Sequence, residues 1–123
     1  MSKKFIPPDE VEHLAWFFKT MCRHQLLDKT EEIRLGRKSK LPGITGKQAR
    51  DSLVEHNFRL VISIARGFSG RGIPLDDLIA VGNMGLLRAA EKFDPEKGFR
   101  FSTYAVWWIR QSCRREISER STL

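Results

Sequence analysis

The most chemically distinctive part of the sequence is an aromatic and basic stretch near its C-terminal end. On a helical wheel of about 100° per residue, residues 104–118 divide into two faces. One face carries Val106, Ile109, Cys113 and Ile117. The opposite face carries Tyr104, Trp107, Trp108, Gln111, Arg114, Arg115 and Ser118. Rings interleaved with guanidinium groups can stack on bases while phosphates are neutralised, so this face predicts contact with single-stranded or partly melted nucleic acid.

Aromatic residues at helical spacing belong more often to a core than to a ligand surface. Here the aliphatic face already supplies a core stripe, which favours a surface role for the rings. Phe93, Phe99 and Phe101 lie just upstream, so six aromatic residues fall within residues 93–108. Tyr104 is expected to lie opposite the aliphatic stripe, where its ring is not needed for the core.

The charge distribution points in the same direction. Lys and Arg total 22 against 15 Asp and Glu, which gives a net charge of +7 and a pI near 9.9. Residues 33–50 contain six basic side chains and no acid, and residues 57–75 contain three arginines and no acid. These runs predict a polyanionic partner, with nucleic acid favoured over an acidic membrane surface.

Several classes of protein are disfavoured by the composition. No apolar run approaches the ~20 residues that span a bilayer, and no signal-peptide pattern opens the chain, so we expect a cytoplasmic protein. Cys22 and Cys113 stand alone and predict buried thiols, with no metal site. His13, His24 and His56 are isolated from any nucleophile or carboxylate pair. We therefore expect no enzyme activity, no cofactor and no small-molecule substrate.

The periodic segments that must position these residues are all helical. An all-α fold is predicted, a compact bundle of about five helices over residues 9–25, 28–38, 45–68, 75–93 and 103–119. Asp28, Thr45 and Ser102 are the expected N-caps. Residues 1–25 form an N-terminal helix of unclear relation, and residues 26–123 form the main domain with which that helix packs.

Three strings in this sequence closely resemble region 2 of bacterial sigma factors of the sigma-70 family. They are NFRLVISIA at residues 57–65, DLIAVGNMGLL at 77–87 and FRFSTYAVWWIRQ at 99–111. The resemblance covers about residues 49–118, and residues 26–40 resemble the short region 1.2 helix that precedes region 2 in housekeeping members. The first twenty or so residues show no such resemblance.

The resemblance implies a module that binds core RNA polymerase and melts the promoter −10 element by capturing flipped bases of the non-template strand. The positions that match the flipped-base pocket and the fork are Phe93, Asp94, Lys97, Phe99, Phe101, Ser102, Thr103, Tyr104, Trp107, Trp108, Gln111, Arg114 and Arg115. The positions that match the pocket for a second flipped base are Asn57, Arg59 and Leu60. In the family, the helix that matches residues 75–87 docks on the clamp coiled coil of the largest polymerase subunit. The positions that match the docking residues are Leu75, Asp77, Leu78, Ala80, Val81, Asn83, Met84 and Leu87.

Within these sets the resemblance assigns particular roles. Tyr104 matches the residue that stacks where the first melted adenine leaves the helix. Trp107 and Trp108 match the pair that replaces lost stacking at the upstream fork. Gln111, and Arg114 with Arg115, match positions that face the last intact base pair and nearby phosphates. An anti-sigma factor is a further partner of this class of domain.

The sequence also departs from the family pattern. Ala80 and Val81 stand where housekeeping members usually carry Gln and Glu, which puts the choice of polymerase or the affinity for it in question. Arg114 replaces a usual Thr, so readout of the fork pair is expected to differ. Asp94 and Lys97 replace Glu and Arg, which keeps the sign of charge and changes its reach. The chain reads as a fragment or as a minimal, phage-type factor, and both interpretations stay open.

One alternative comes from a different functional class. The chain could occupy the polymerase clamp as an interaction protein, or act as an anti-sigma factor, without opening a promoter. A protein that only occupied the clamp would need the docking helix and not the aromatic residues. Tyr104, Trp107, Trp108 and Gln111 are all present, which favours the promoter-opening interpretation.

Overall fold

The computed structural model describes residues 27–121. Within them lie four α-helices and one turn of 3-10 helix: α1 (Lys29–Lys38), α2 (Gly43–Gly67), α3 (Leu75–Lys92), the 3-10 turn (Pro95–Lys97) and α4 (Phe101–Ser121). No strand occurs among these residues, so the all-α prediction is confirmed, with four α-helices in this part of the chain. The helix predicted over residues 9–25, and the assignment of residues 1–25, lie outside the described residues.

Helix α1 begins where the sequence predicts. The Asp28 side chain accepts a hydrogen bond from the backbone N–H of Glu31 at 2.8 Å. Acidic residues occupy the first turn of α1, and Arg37 and Lys38 occupy the last, so charges of each sign lie near the complementary end of the helix dipole.

Two of the predicted N-caps are wrong. Helix α2 starts at Gly43, directly after Pro42 in an extended conformation, so Thr45 already lies inside the first turn. Gly43 has φ +72°, a left-handed conformation that glycine adopts without steric cost, and it allows this earlier start. Helix α4 starts at Phe101, so Ser102 is likewise inside the helix and not at its cap.

The core lies between α2, α3 and α4. Its largest fully buried side chains include Leu53, Phe58, Leu78, Leu86, Phe93, Phe101 and Ile109. On α4 the buried stripe is Phe101, Ala105, Ile109 and Cys113, a strict four-residue spacing. Val106 and Ile117, predicted for this stripe, are half-buried at its edges. Among residues 27–121, no helix is long and apolar enough to cross a membrane.

Candidate nucleic-acid interface

The N-terminus of α4 is fixed by a buried carboxylate from α1. Glu32 Oε1 accepts hydrogen bonds from the backbone N–H of Phe101 at 2.6 Å and from Arg100 Nε at 3.1 Å. Arg100 Nη2 also donates to the Leu27 carbonyl at 2.7 Å. A negative group at a helix N-terminus satisfies an unpaired N–H and complements the helix dipole. Glu32 therefore caps α4 from another helix, which replaces the predicted cap by Ser102.

Six aromatic rings form one continuous series at the start of α4, and we call them the aromatic cluster: Phe93, Phe99, Phe101, Tyr104, Trp107 and Trp108. The Phe93 and Phe101 rings meet edge to face at 5.1 Å, and the Phe99 and Tyr104 rings lie 5.7 Å apart at 31°. The Tyr104 and Trp108 rings are 6.2 Å apart, and the Trp107 and Trp108 rings are 5.2 Å apart at 90°. The 3-10 turn folds residues 93 and 99 back onto α4 and so brings the series together.

The aromatic cluster is graded from buried to exposed. Phe93 and Phe101 are fully buried and form its floor, so their rings support the surface from below. Tyr104 and Trp108 are half-buried and pack against the core. Phe99 is 40% exposed and Trp107 is 59% exposed. The surface that a base could stack on therefore centres on Trp107, Phe99 and the accessible part of Tyr104.

The predicted position of Tyr104 needs correction. The helical wheel places Tyr104 and Trp108 opposite the core, whereas both rings contribute to packing in the structure. The reason is that α3 packs against α4 and that the rings of Phe93 and Phe99, on either side of the 3-10 turn, lie 6.3 and 5.7 Å from the Tyr104 ring, and a single-helix wheel includes none of these neighbours. The Trp108 Nε1 atom is buried and has no hydrogen-bond partner among the described residues.

The polar residues of the predicted flipped-base pocket lie around the 3-10 turn. Asp94 Oδ1 accepts a hydrogen bond from the backbone N–H of Glu96 at 3.0 Å, so part of its carboxylate caps the turn. Lys97 and Thr103 are exposed, and Ser102 is half-buried. The Glu96 carboxylate pairs with Arg37 of α1 at 2.7 Å, and this guanidinium holds the pKa of Glu96 below its usual value. The turn is thus tied to α1.

The second half of α4 carries the polar groups predicted to face the fork. Gln111 and Arg114 are exposed, and Arg114 makes no hydrogen bond or ion pair with any described residue. Arg115 is exposed but pairs with Glu119 at 3.0 Å. Of these two arginines, Arg114 is therefore the one whose charge is not shared with a carboxylate of the described part.

The three residues predicted for a second flipped base are only partly brought to the surface. Arg59 is exposed and Leu60 is half-buried on α2. Asn57 is 3% exposed, and its Nδ2 donates to the Leu53 carbonyl at 2.8 Å. The Asn57 amide therefore points into the bundle, and its role in base contact is not supported by this conformation.

The predicted docking residues on α3 also divide by exposure. Met84 is 56% exposed, Leu87 is 39% exposed, and Ala80 is exposed beside the half-buried Val81. These four residues form an apolar strip on α3. Leu75 and Asn83 are half-buried, and Asp77 pairs with Arg120 of α4 at 3.3 Å. Leu78 is fully buried in the core, so its side chain is not part of the exposed surface of α3. Its docking role stays a prediction.

The cysteine that the structure describes is a buried thiol. Cys113 is fully buried, and its Sγ donates to the Leu78 carbonyl at 3.7 Å. Burial raises the pKa of Cys113 to about 11. The prediction of a buried thiol is confirmed for Cys113, whereas Cys22 lies outside the described residues. Within residues 27–121 no group of three or more His, Cys, Asp or Glu side chains is placed to hold a metal ion.

Glu32 and Gly85 are the important residues that sequence reasoning missed. Glu32 lies three and four residues before the buried Leu35 and Gly36, so the buried face of α1 passes through it. This helical spacing could have predicted that Glu32 lies on the buried face of α1. Gly85 packs against α4 so closely that an added Cβ would come within 2.6 Å of the Trp108 carbonyl oxygen. No sequence pattern indicates this contact, because it depends on how closely the two helices approach.

Fold and site together define a helical domain whose last helix presents an aromatic and basic surface. A family model described as Sigma-70 region 2 matches residues 53–122. The chain therefore belongs to the sigma-70 family and contains its region 2.

Named relatives agree with this assignment. The chain is 51% identical over 96 residues to the RNA polymerase sigma factor RpoS of Coxiella burnetii, covering 78% of this chain and 26% of that protein. It is 46% identical over 105 residues to SigA of Lactococcus lactis subsp. cremoris, covering 85% and 29%. It is 55% identical over 76 residues to SigA of Nostoc sp., covering 62% and 20%. The chain thus spans between a fifth and under a third of these relatives.

Proposed function

We propose that this chain is a sigma-type transcription-initiation module that binds core RNA polymerase and opens the promoter −10 element. In this proposal it captures flipped bases of the non-template strand. The observation that carries the proposal is the graded aromatic cluster, in which buried Phe93 and Phe101 support half-exposed Tyr104 and exposed Trp107. A cluster that served the core alone would not leave an indole 59% exposed beside a row of arginines.

The energetics of the aromatic surface suit capture of bases that are already partly released. Extruding a base costs a few kcal/mol of pairing and stacking. Each aromatic platform returns about 1–3 kcal/mol per stacked base. Phe99, Tyr104 and Trp107 together balance the opening of a few base steps, which cost about 1.4 kcal/mol each. The free energy gained by stacking therefore exceeds the cost of opening by little or nothing. Efficient opening requires a partner that holds the domain on the promoter.

The apolar strip on α3 is the surface we assign to that partner. Met84 and Leu87 are large apolar side chains left exposed next to each other on one face of α3. Large apolar side chains grouped on one face commonly mark protein–protein contacts. The strip lies on the helix whose sequence matches the clamp-docking segment of the family, so we assign core RNA polymerase, through the clamp coiled coil of its largest subunit, to this face.

The proposal is tested by measuring binding of a single strand containing TATAAT and of a scrambled strand, with and without core polymerase. We expect weak preference for TATAAT by the free chain and a large gain in affinity and preference with polymerase. Permanganate reactivity of thymines on a duplex promoter should appear in the ternary mixture alone. Polymerase binding without strand preference or thymine reactivity would favour the interaction-protein alternative.

A further inference from the structure

Three exposed apolar residues lie close together where α1 joins α2, and we call them the apolar tip: Leu41, Pro42 and Ile44. Leu41 is 49% exposed and Ile44 is 71% exposed, the highest value among the large hydrophobic residues that the structure describes. Apolar residues scattered singly over a surface are normal, whereas a contiguous group commonly marks a contact with another molecule. The apolar tip is such a group, separate from the aromatic cluster and from the apolar strip on α3.

Contacts on its inner side hold the apolar tip in place. The Ser39 hydroxyl donates to the Gly36 carbonyl at 2.6 Å, and Arg50 Nη1 donates to the Ser39 carbonyl at 2.8 Å. Gly46 packs directly against the Leu41 carbonyl oxygen, where an added Cβ would overlap that oxygen. These contacts order the connection and leave its apolar side chains exposed, so a partner would meet a preformed surface, which lowers the entropy cost of binding.

The electrostatic surroundings of the apolar tip are positive. Residues 33–50 contain six Lys or Arg and no Asp or Glu, and the tip lies within this run. Lys38 is exposed one turn before the tip and makes no hydrogen bond or ion pair with any residue in 27–121. Lys40 and Lys47 are exposed on either side of the tip. A molecule that covers this surface must therefore combine apolar groups with negative charge.

A protein matches these properties better than a nucleic acid does. Nucleic acids are bound by cations that reach phosphates and by aromatic rings that stack on bases, and the apolar tip has no aromatic ring. The Lys40 ammonium donates to the Glu91 carbonyl at 3.3 Å, and the Lys47 ammonium pairs with Asp51 at 3.1 Å. Two of the three neighbouring lysines thus already have acceptors within the chain. Aliphatic side chains instead gain most by packing against apolar side chains of a protein.

The charge of the chain also limits which protein can bind. A second copy is a poor occupant, because it would bring a net charge of +7 and the same acid-free run. An amphipathic helix with acidic flanks can cover Leu41 and Ile44 with its apolar stripe and place carboxylates near Lys38. We propose that the apolar tip docks an acidic amphipathic helix of a second protein, distinct from the polymerase that we assign to α3. Docking here requires no base stacking.

The probe is a synthetic helical peptide of about 18 residues, with leucines three and four positions apart and glutamates on both flanks. A second peptide has the same composition in scrambled order, and a third carries lysine in place of glutamate. Binding of each labelled peptide to the full chain is measured by fluorescence anisotropy. The tip variant is Leu41→Ser with Ile44→Ser. The matched control is Met84→Ser with Leu87→Ser, which changes two exposed apolar residues of α3.

We expect the acidic amphipathic peptide to bind the wild type at least about tenfold more tightly than either of the other peptides, because it alone supplies both an apolar stripe and negative charge. The tip variant should lose about tenfold or more of this affinity, since two apolar side chains are removed from the contact. The α3 variant should stay within about threefold of the wild type, because its changed residues lie outside the contact.

The contribution of charge is measured with a second matched pair of variants. Lys38→Gln with Lys47→Gln changes one unpaired cation and one cation paired with Asp51, both near the tip. Lys29→Gln with Arg34→Gln changes one unpaired and one paired cation nearer the start of α1. Both double variants lower the net charge from +7 to +5 (7 − 2 = 5). The first should weaken peptide binding about threefold more than the second. Equal effects would overturn the acidic partner.

Each competing occupant has its own outcome, and each of these outcomes would overturn the proposal. Peptide binding lost in the α3 variant and kept in the tip variant would move the site to the apolar strip. A loss of about tenfold by the tip variant in affinity for DNA or for core polymerase would assign the tip to that partner. Self-association of the wild type that the tip variant lacks would assign a second copy. A melting temperature lower by more than about 4 °C in the tip variant would show that the chain itself covers the tip.

Failure of the docking site and failure of the proposed function are distinguishable. Absence of peptide binding to the wild type, with TATAAT strand binding retained, would reject the docking site alone. Peptide binding that the tip variant loses, in a chain that binds no strand, would support the docking site and reject the proposed function.

Discussion

Gly85 of α3 lies against the backbone of Trp108 in α4. A Cβ atom placed on Gly85 would come within 2.6 Å of the Trp108 carbonyl oxygen and within 2.6 Å of the Ser112 hydroxyl. Real side-chain atoms do not approach a backbone oxygen so closely, so the two helices are in contact at a point that glycine alone permits. This contact sets the depth at which Trp108 sits and therefore the height of the aromatic cluster above the core.

Substituting Gly85→Ala should lower the free energy of unfolding by about 1–3 kcal/mol, because α4 must move to admit the methyl group. Gly67→Ala is the control, since an added Cβ there meets nothing within 4 Å and the residue ends a helix. That control should be neutral or slightly stabilising. Chemical denaturation of both variants measures the difference, and equal stabilities would show that the helices tolerate separation.

Glu32→Gln should lower the free energy of unfolding by about 1–3 kcal/mol, the range for losing hydrogen bonds to a buried charged group. The Glu32 carboxylate accepts hydrogen bonds from Arg100 and from the Phe101 N–H. A neutral amide at this position accepts these two hydrogen bonds less strongly. Glu31→Gln is the matched control, because its pair with Arg34 is exposed and surface pairs contribute about 0–1 kcal/mol. Tryptophan emission should shift in the Glu32 variant if α4 frays. An unshifted spectrum and similar losses in both variants would argue against capping.

Helices α2, α3 and α4 were predictable because each has a long apolar stripe at the helical period, whereas α1 was predictable from its cap at Asp28. The sequence predicts which residues form the aromatic cluster. It does not predict how their rings are arranged or how far each ring is exposed. The exposure of Trp107 and the partial burial of Tyr104 depend on neighbours outside α4, namely α3 and the rings of Phe93 and Phe99. The Asn57 side chain is buried because its amide donates a hydrogen bond to the Leu53 carbonyl instead of facing the surface. The sequence pattern does not predict this local hydrogen bond.

Cys113 should react very slowly with a thiol reagent in the folded state at pH 8. Burial raises its pKa from 9.0 to about 11, so the reactive thiolate is about a hundredfold rarer than in the unfolded chain. Because the folded-state pKa is raised, the unfolded state loses this proton first, and stability should fall as pH rises from about 9 to 11.

The experiment uses a Cys22→Ser background, so that one thiol is observed, with and without denaturant. The stability of this protein and of Cys113→Ala is then followed against pH. A fast native reaction, or the same pH dependence in both proteins, would contradict the assignment of a protected thiol.

Restoring the polar residues usual in housekeeping members, by Ala80→Gln with Val81→Glu, should tighten binding to a housekeeping bacterial core polymerase. Each regained hydrogen bond to a charged partner contributes about 1–3 kcal/mol. Ala80 is exposed and Val81 half-buried, so the fold should tolerate both changes. Thr45→Gln with Gln48→Glu, on the exposed start of α2, provides a control of similar chemistry. Unchanged or weaker affinity in the α3 variant would show that this strip is matched to a different polymerase surface.

Trp107→Ala should reduce affinity for a TATAAT single strand by about 1–3 kcal/mol, the contribution of one stacking platform. Its melting temperature should change little, because the indole is 59% exposed and the buried stripe of α4 does not include it. Trp107→Phe keeps an aromatic face and should recover part of the affinity. Tyr104→Ala provides the contrast, since the ring both packs against the core and faces the surface.

The Tyr104 variant should lose strand affinity and stability together, whereas Phe101→Ala, which removes a fully buried ring, should lose about 3–5 kcal/mol of stability. Measured side by side by strand binding and thermal unfolding, the three alanine variants should follow the gradient of exposure across the aromatic cluster. If Trp107→Ala instead unfolds the domain while its strand binding stays normal at low temperature, the exposed indole is structural and the stacking surface must lie elsewhere.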